Sequence, residues 1–437
     1  MKYFGTDGIR DKAESIIHHQ YGYFIGKALK GIKKDSKTVF IARDTRESGY
    51  RIVEDIKKGL FESGINAYDL GVFPTPVLAY FSLSNQTFGI MVTASHNPYT
   101  DNGIKVFDKG NKLNSQDEAF IESVIDGDIS IDKAKVSGQE KEFKNAFKKY
   151  LSLYNGMIEE VDLKIALDLA NGAATTTAEK IFSKLSKNIC VIANEPDGYN
   201  INKDCGSTHL GQLQDLVIKE ECDLGIAFDG DADRLMVVDH QGQVCDGDFL
   251  IYLFASYLKA HKQLKNKFVA LSKMCNIGII KALNEKDIEV IQTDVGDKYI
   301  TQAIEEHDGV LGGENSGHII NKLLFETGDG VLNAAFLIKV LQYYKLPLAL
   351  LKEQVQYYPD KLINLKNIDK TLASHPQVVD IVNKHLCKLA GDGKILVRPS
   401  GTEPLIRISA SAPSELQVDL IIEEIKNKIE DLAKEGN

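Results

Sequence analysis

No stretch of the 437 residues is long and apolar enough to span a membrane. The opening "MKYFGTDGIRDK" lacks the apolar core of a signal peptide, so a cytoplasmic location is expected. Cysteine is scarce: six residues, at 190, 205, 222, 245, 275 and 387, with no CxxC pair. That spacing suits neither a disulfide framework nor a zinc site and fits a reducing compartment. A basic surplus is missing too. The 52 Lys+Arg against 62 Asp+Glu give a formal net charge of −10, which argues against a general nucleic-acid binder. An anionic small ligand stays open, provided cations gather locally. Two nucleophile and phosphate signatures are absent, the G-x-S-x-G elbow and the G-x-x-x-x-G-K-[ST] loop. An EF-hand starting at Asp229 fails as well. Its sixth position holds Arg234 instead of Gly, and its twelfth holds His240 instead of Glu.

What is present is an ordinary globular composition, 43% apolar and 26% charged. The length exceeds one core and suggests three or four domains. Short β-branched runs alternate with helical patterns: "TVFIA", then a helix through "IVEDIKKGLFESG", then "AYDLGVF", a helical "VLAYFSLS", and "FGIMVTA". The cycle restarts at "LKIALDLA", with a helix near 172–187, and again at "KFVALS". This rhythm predicts α/β sheets with largely parallel cores. The last part differs. "KLINL", a helix around 376–389, "KILVRPSGTEP", "LIRISAS" and a helix from about 414 to 434 predict a small α+β domain. Boundaries are expected near 150, 250 and 360, giving domains 1–150, 151–250, 251–360 and 361–437.

Four times an apolar run ends in a loop dense in Gly and polar residues: "GIMVTASHNP", "LGIAFDGDADR", "GVLGGENSGH" and "ILVRPSGTEP". Ligands of open α/β sheets bind beyond the carboxyl ends of strands, so the four loops are expected to serve one site. Asp229, Asp231 and Asp233 at i, i+2, i+4 repel one another unless a cation lies among them, and hard oxygen ligands suit Mg²⁺. Ser95 is the hydroxyl nucleophile with a rationale. Neighbouring Ser95 and His96 point apart on an extended chain, so they are no hydrolase pair. A phosphorylated Ser95 would add an oxygen ligand to the three aspartates. "RPSGTEPLIR" offers Arg398, Ser400, Gly401, Thr402 and Arg407, a phosphate clamp of hydroxyls, N–H groups and guanidiniums. Glu314 and Ser316 in "GGENSGH" suit sugar hydroxyls.

"GTDGIR", "TASHNP…NGIK", "DGDADR", "GGENSGH" and "RPSGTEPLIR", in this order from residue 3 to the C-terminus, resemble the signature set of the α-D-phosphohexomutase superfamily. "YFGTDGIR", "CGSTH" at 205–209, "VGDKY" at 295–299 and "GGENSGH" look most like its bacterial phosphoglucosamine mutase branch. Lys298 stands where that branch more often has Arg, and Asn315 where it often has Gln.

The resemblance implies four domains around a central cleft, three of them similar mixed α/β sheets and the last α+β. It implies interconversion of glucosamine 6-phosphate and glucosamine 1-phosphate, feeding UDP-N-acetylglucosamine and peptidoglycan precursors. Phosphorylated Ser95 would act through a glucosamine 1,6-bisphosphate, with glucose 1,6-bisphosphate as an alternative activator. It also implies one Mg²⁺ held by Ser95, Asp229, Asp231 and Asp233. Lys105, His318 and Arg10 are its candidates for proton handling, with Arg234 and His96 at the phosphate; Glu314 and Ser316 would meet the sugar. The expected partner is a hexosamine phosphate, with no nucleic acid or membrane and with room for a homodimer. Three readings stay open beside it: the phosphomannomutase/phosphoglucomutase branch, a phosphatase with an aspartate nucleophile, and a non-catalytic sugar-phosphate-binding protein.

Overall fold

β-Branched and aromatic runs set the strands of this chain, and amphipathic runs between them set the helices. The computed structural model describes residues 2–33, 35–157, 159–399 and 405–435. It forms two compact units, Met1–Met274 with Ile288–Lys352, and Cys275–Asp287 with Glu353–Asn437.

The first unit carries three mixed sheets. The first contains β1 (Phe4–Gly5), β2 (Gly8–Lys12), β3 (Thr38–Arg43), β4 (Asn66–Val72), β5 (Phe88–Val92), β6 (Asp101–Asp108) and β7 (Asn111–Lys112). Their order is β1-β2-β6-β5-β3-β4, with β7 on β6. β3 lies parallel to β4 and β5, while β6 is antiparallel to β5 and β2. β5, "FGIMV", is buried along its whole length. It therefore reads as a continuous apolar run, as a strand covered on both faces must. Helices Tyr21–Ile32 and Ser48–Glu62 supply Ile25, Leu29, Ile52, Ile56 and Leu60 to the core that also holds Val39, Ile41 and Ile90.

The second sheet has β8 (Lys164–Asp168), β9 (Asn188–Ile192), β10 (Leu224–Phe228), β11 (Leu235–Asp239) and β12 (Val244–Cys245), in the order β12-β11-β10-β8-β9. The third has β13 (Phe268–Ser272), β14 (Glu289–Thr293), β15 (Leu311–Gly313) and β16 (Ile319–Asn321), in the order β14-β13-β15-β16. In each, three strands run parallel; β11 and then β12 extend the second sheet by antiparallel pairing, and β16 does so for the third. The helix expected near 172–187 begins instead as a tight turn, Ala173–Thr176, and becomes α-helical at Ala178–Leu185. The cause is a run of threonines. Thr175 and Thr176 donate their hydroxyls to the carbonyls of Gly172 (2.7 Å) and Ala173 (2.8 Å), a local bond that competes with α-helix.

The second unit is α+β. β17 (Asp360–Lys366), β18 (Lys394–Pro399) and β19 (Leu405–Ser411) form an antiparallel sheet in the order β17-β19-β18. Helices Pro376–Leu389 and Glu415–Glu435 cover it. Val418, Ile421, Ile422, Ile425, Ile429 and Leu432 recur at helical spacing, and all six are buried. None of the six cysteines is in a disulfide. Among the described residues, no helix is long and apolar enough to cross a membrane.

Candidate active site

β5 ends at Val92, and the chain turns sharply within three residues. Ser95 takes a left-handed backbone conformation, φ +53°, which non-glycine residues rarely adopt. Its N–H donates to Thr93 Oγ1 at 2.9 Å. The turn aims Ser95 Oγ at the loop after β10, where it donates to Asp229 Oδ2 at 2.5 Å. That loop is also irregular, with Ala232 at φ +58°.

Asp229, Asp231 and Asp233 are all buried, and each offers a carboxylate oxygen within 4.8 Å of the other two. Among the described residues, Asp231 Oδ1 and Asp233 Oδ1 accept no hydrogen bond, and His318 Nδ1 lies 3.5 Å from Asp233 Oδ1. Burial, and then the charges of Asp233 and Asp231, push the Asp229 carboxyl well above its usual range. Burial works the same way on Asp233, but Lys105 and His318 outweigh it and hold that carboxyl well below the usual range. Crowded carboxylates with unpartnered buried oxygens fit a hard divalent cation, and an all-oxygen donor set suits Mg²⁺.

β6 lies beside β5 and pairs Lys105 with Met91. Lys105 Nζ reaches Asp231 Oδ2 (2.8 Å), Asp233 Oδ2 (3.1 Å) and Asp7 Oδ2 (3.0 Å). Burial opposes its charge, but Asp231 and Asp233 prevail, so the ammonium is held well above its ordinary pKa. Asp7 is also paired with Arg10 and Lys112, and Lys112 bridges it to Asp297. The two histidines diverge. Burial disfavours charge on His318, yet Asp233 and Asp297 hold its pKa at about 9. Burial, together with Arg234 and Arg10, brings His96 down to about 4. At neutral pH one is an imidazolium and the other a neutral imidazole, whose Nδ1 lies 3.3 Å from Ser95 Oγ.

A cavity of about 230 Å³ has Asp7, Arg10, His96, Asp233, Arg234, Asp297, Glu314 and His318 in its wall. The loop after β15 closes on itself: the Glu314 N–H donates to the His318 carbonyl (3.1 Å), and the Gly317 N–H to the Glu314 carbonyl (3.0 Å). Glu314 Oε1 accepts the Gly296 N–H at 2.9 Å, and Ser316 Oγ is buried with no hydrogen-bond partner among the described residues. Gly317 sits at φ +88°, and a Cβ there would lie 2.2 Å from the Leu235 carbonyl oxygen. The loop after β15 is thus pressed against β11, the strand that follows the aspartates.

Arg10, Ser95, His96, Lys105, Asp229, Asp231, Asp233, Arg234, Glu314, Ser316 and His318 all stand on the loops and strand ends around this cavity in the first unit. Arg398 and Arg407 belong to the second unit, where they face each other across β18 and β19. Ser400, Gly401 and Thr402 lie outside the described residues. Sequence reasoning missed Asp7, Lys112, Asp297 and Thr75, whose Oγ1 donates to Asp231 Oδ2 at 2.5 Å. Asp7 and Asp297 sit inside "GTDGIR" and "VGDKY", stretches already singled out, so their signal was available. Lys112 and Thr75 carry no local mark; only the fold brings them in.

Comparison with known proteins gives four family matches. They are to the phosphoglucomutase/phosphomannomutase α/β/α domain I (residues 1–131), domain II (141–242), domain III (246–358) and C-terminal domain (362–428). A phosphoglucosamine mutase of Lachnoclostridium phytofermentans is 40% identical over 423 residues, 94% of each chain. One of Streptococcus mutans is 40% identical over 437 residues, 97% of each chain. Among solved structures, a phosphoglucomutase/phosphomannomutase family protein of Burkholderia thailandensis superimposes with a TM-score of 0.79. It is 24% identical, and the match covers 98% of this chain and 97% of that one. An N-acetylphosphoglucosamine mutase of Aspergillus fumigatus, in complex with GlcNAc-6P and magnesium, gives a TM-score of 0.69. It is 16% identical, with 99% and 96% covered.

Proposed function

The chain belongs to the phosphoglucomutase/phosphomannomutase family, and from that premise we propose that it interconverts glucosamine 6-phosphate and glucosamine 1-phosphate through a phosphorylated Ser95. The observation that carries the chemistry is Ser95 Oγ seated on Asp229 in a loop of buried, under-partnered carboxylates. The roughly 40% identity to phosphoglucosamine mutases over nearly the whole chain supports the choice of sugar.

In this reading the phosphoryl group leaves Ser95 Oγ for the free hydroxyl of the substrate. The Oγ–P bond breaks as a sugar O–P bond forms, and a glucosamine 1,6-bisphosphate results. After the bisphosphate turns over, its other phosphoryl group returns to Ser95. Phosphoryl transfer has a charge-dispersed, in-line transition state and depends on positioning and cations. Asp229, Asp231, Asp233 and an oxygen of Ser95 would hold Mg²⁺, whose contribution is to neutralise the transferring group. Arg10 and Arg234 add fixed positive charge in the cavity wall. The sugar hydroxyl loses a proton as it attacks and Ser95 Oγ gains one as it leaves; Lys105 and His318 are the side chains that would carry these protons, and neutral His96 stands at the phosphate. Glu314 and Ser316 receive the sugar hydroxyls or amine. Arg398 and Arg407, with Ser400, Gly401 and Thr402, grip the phosphate that is not reacting.

The proposal keeps the four-domain division near 150, 250 and 360 and includes a homodimer, which light scattering of the purified protein checks. The substrate assignment is tested by kcat/KM for glucosamine 1-phosphate, glucose 1-phosphate and mannose 1-phosphate on one preparation of known Ser95 phosphorylation. A preference for the amino sugar of roughly ten- to a thousand-fold is expected, because the sugars differ only at C2. Equal values, or a preference for glucose or mannose, would move the chain to the phosphomannomutase/phosphoglucomutase branch.

A further inference from the structure

Two side chains outside the cavity converge on the backbone of the Ser95 loop. Arg46 and its partner Asp44 are both completely buried, and they form an ion pair. The Arg46 guanidinium donates to the carbonyls of Ser95 (3.2 Å) and Asn97 (2.6 Å). Asn202, buried and itself left-handed at φ +56°, donates its amide to the same carbonyls at 2.8 and 3.0 Å. Arg46 follows β3 in the first sheet, and Asn202 follows β9 in the second. The same seam holds Gly230, between Asp229 and Asp231. A Cβ there would lie 2.5 Å from the Ser95 carbonyl oxygen and 3.0 Å from Asn202 Nδ2. Neighbouring bonds tie the seam further: Thr45 Oγ1 donates to the Asn171 carbonyl (2.6 Å), and the Glu47 N–H to the Gly198 carbonyl (3.1 Å).

From this convergence we propose that Arg46 and Asn202 are positioning residues for the phosphoryl carrier, a double clamp that imposes the left-handed Ser95 turn and fixes its distance from the aspartate loop. The inference rests on the reading of Ser95 as that carrier. Asp44 neutralises Arg46, and both Arg46 and Asn202 are buried and direct N–H groups to backbone carbonyls. Neither side chain therefore acts on the phosphate by charge. A left-handed serine persists only where its surroundings over-determine it, and two donors on each of two carbonyls do so. In-line transfer is sensitive to displacement: a shift of about 1 Å can cost on the order of a hundred-fold in rate.

The test compares wild-type enzyme, Asn202→Ala and Arg46→Lys after treatment with glucose 1,6-bisphosphate. Peptide mass spectrometry locates the phosphate, ³¹P NMR reads the environment of the phosphoserine, and steady-state kinetics separate kcat from KM. We expect phosphate on Ser95 in all three. In the variants, the ³¹P resonance should move toward that of the same protein in denaturant. Their kcat should fall about ten- to a hundred-fold, with KM changed less than about three-fold. Should Asn202→Ala not fold, Asn202→Ser, too short to span both carbonyls, is read the same way. A folded variant phosphorylated at Ser95, with an unmoved resonance and unchanged kcat, overturns the clamp. Absence of phosphate from Ser95 in the wild-type enzyme overturns the carrier reading, and the clamp with it.

Discussion

Ser95 gains its standing from where its neighbours put it. A serine one residue from a histidine is unremarkable in sequence, and the 3.3 Å separation from His96 is long for a working pair. The left-handed turn and the 2.5 Å bond to Asp229 are what set Ser95 apart. Ser95→Ala is expected to remove nearly all mutase activity and leave thermal unfolding within a few degrees of wild type; substantial residual turnover in a coupled assay would count against the carrier role. Asp168, at the end of β8, makes a second residue-scale prediction. Its carboxylate accepts the N–H groups of Gly206 (2.7 Å) and Ala170 (2.9 Å), but burial wins and pushes its pKa up to about 6. The folded value lies above the unfolded one. The stability it contributes is therefore fully present below about pH 4 and lost as pH rises through about 6. Two pKa units correspond to roughly 3 kcal/mol. Asp168→Asn abolishes that titration, so the stability advantage of wild type over the variant should shrink between about pH 4.5 and 7.5. A constant difference in unfolding midpoint across that range would refute the assignment.

At the scale of elements, the site consists of strand ends. β5, β10 and β15 each stop in a polar loop, and a glycine in the second and in the third lets those loops pack closely. Gly230→Ala would drive a Cβ against the Ser95 carbonyl, and Gly317→Ala would drive one against the Leu235 carbonyl from a left-handed backbone. Both variants should lose activity, by about a hundred-fold or more if the loops separate by 1 Å. Gly317→Ala should also lower the melting temperature, since it adds backbone strain to the clash. Wild-type rates in either variant would show that loop contact is not needed. Much of this level was legible in the sequence. Continuous apolar runs such as "FGIMV" and "LGIAF" marked strands buried on both faces, and the loops after them held every carboxylate of the aspartate cluster. The turn at 173–176 was not legible as such, because periodicity cannot show that threonine hydroxyls will take the backbone carbonyls. Lys112 was invisible for a related reason. Its bridge between Asp7 and Asp297 links β7 to the start of helix Asp297–Glu306, and nothing along the chain announces that pairing.

For the whole molecule, the proposal needs a cation at the buried aspartates of the first unit and a phosphate-binding role for the facing arginines of the second. Chelation should abolish activity and Mg²⁺ should restore it. Zn²⁺ is expected to bind yet support less turnover, since its tetrahedral preference suits three carboxylates and a phosphate poorly. Full activity in a triple Asp→Asn variant at 229, 231 and 233 would refute the metal site. Arg407→Ala should cost about ten- to a hundred-fold in kcat/KM, the worth of a charge-assisted hydrogen bond of roughly 1.5–3 kcal/mol; unchanged kinetics would remove it from the substrate site. The most direct measurement is a single turnover with enzyme carrying ³²P on Ser95, mixed with unlabelled glucosamine 6-phosphate. The account predicts that label leaves the protein within one turnover and is recovered in glucosamine 1,6-bisphosphate and glucosamine 1-phosphate. Label that stays on Ser95 while product forms, or that is released only as inorganic phosphate, would contradict it.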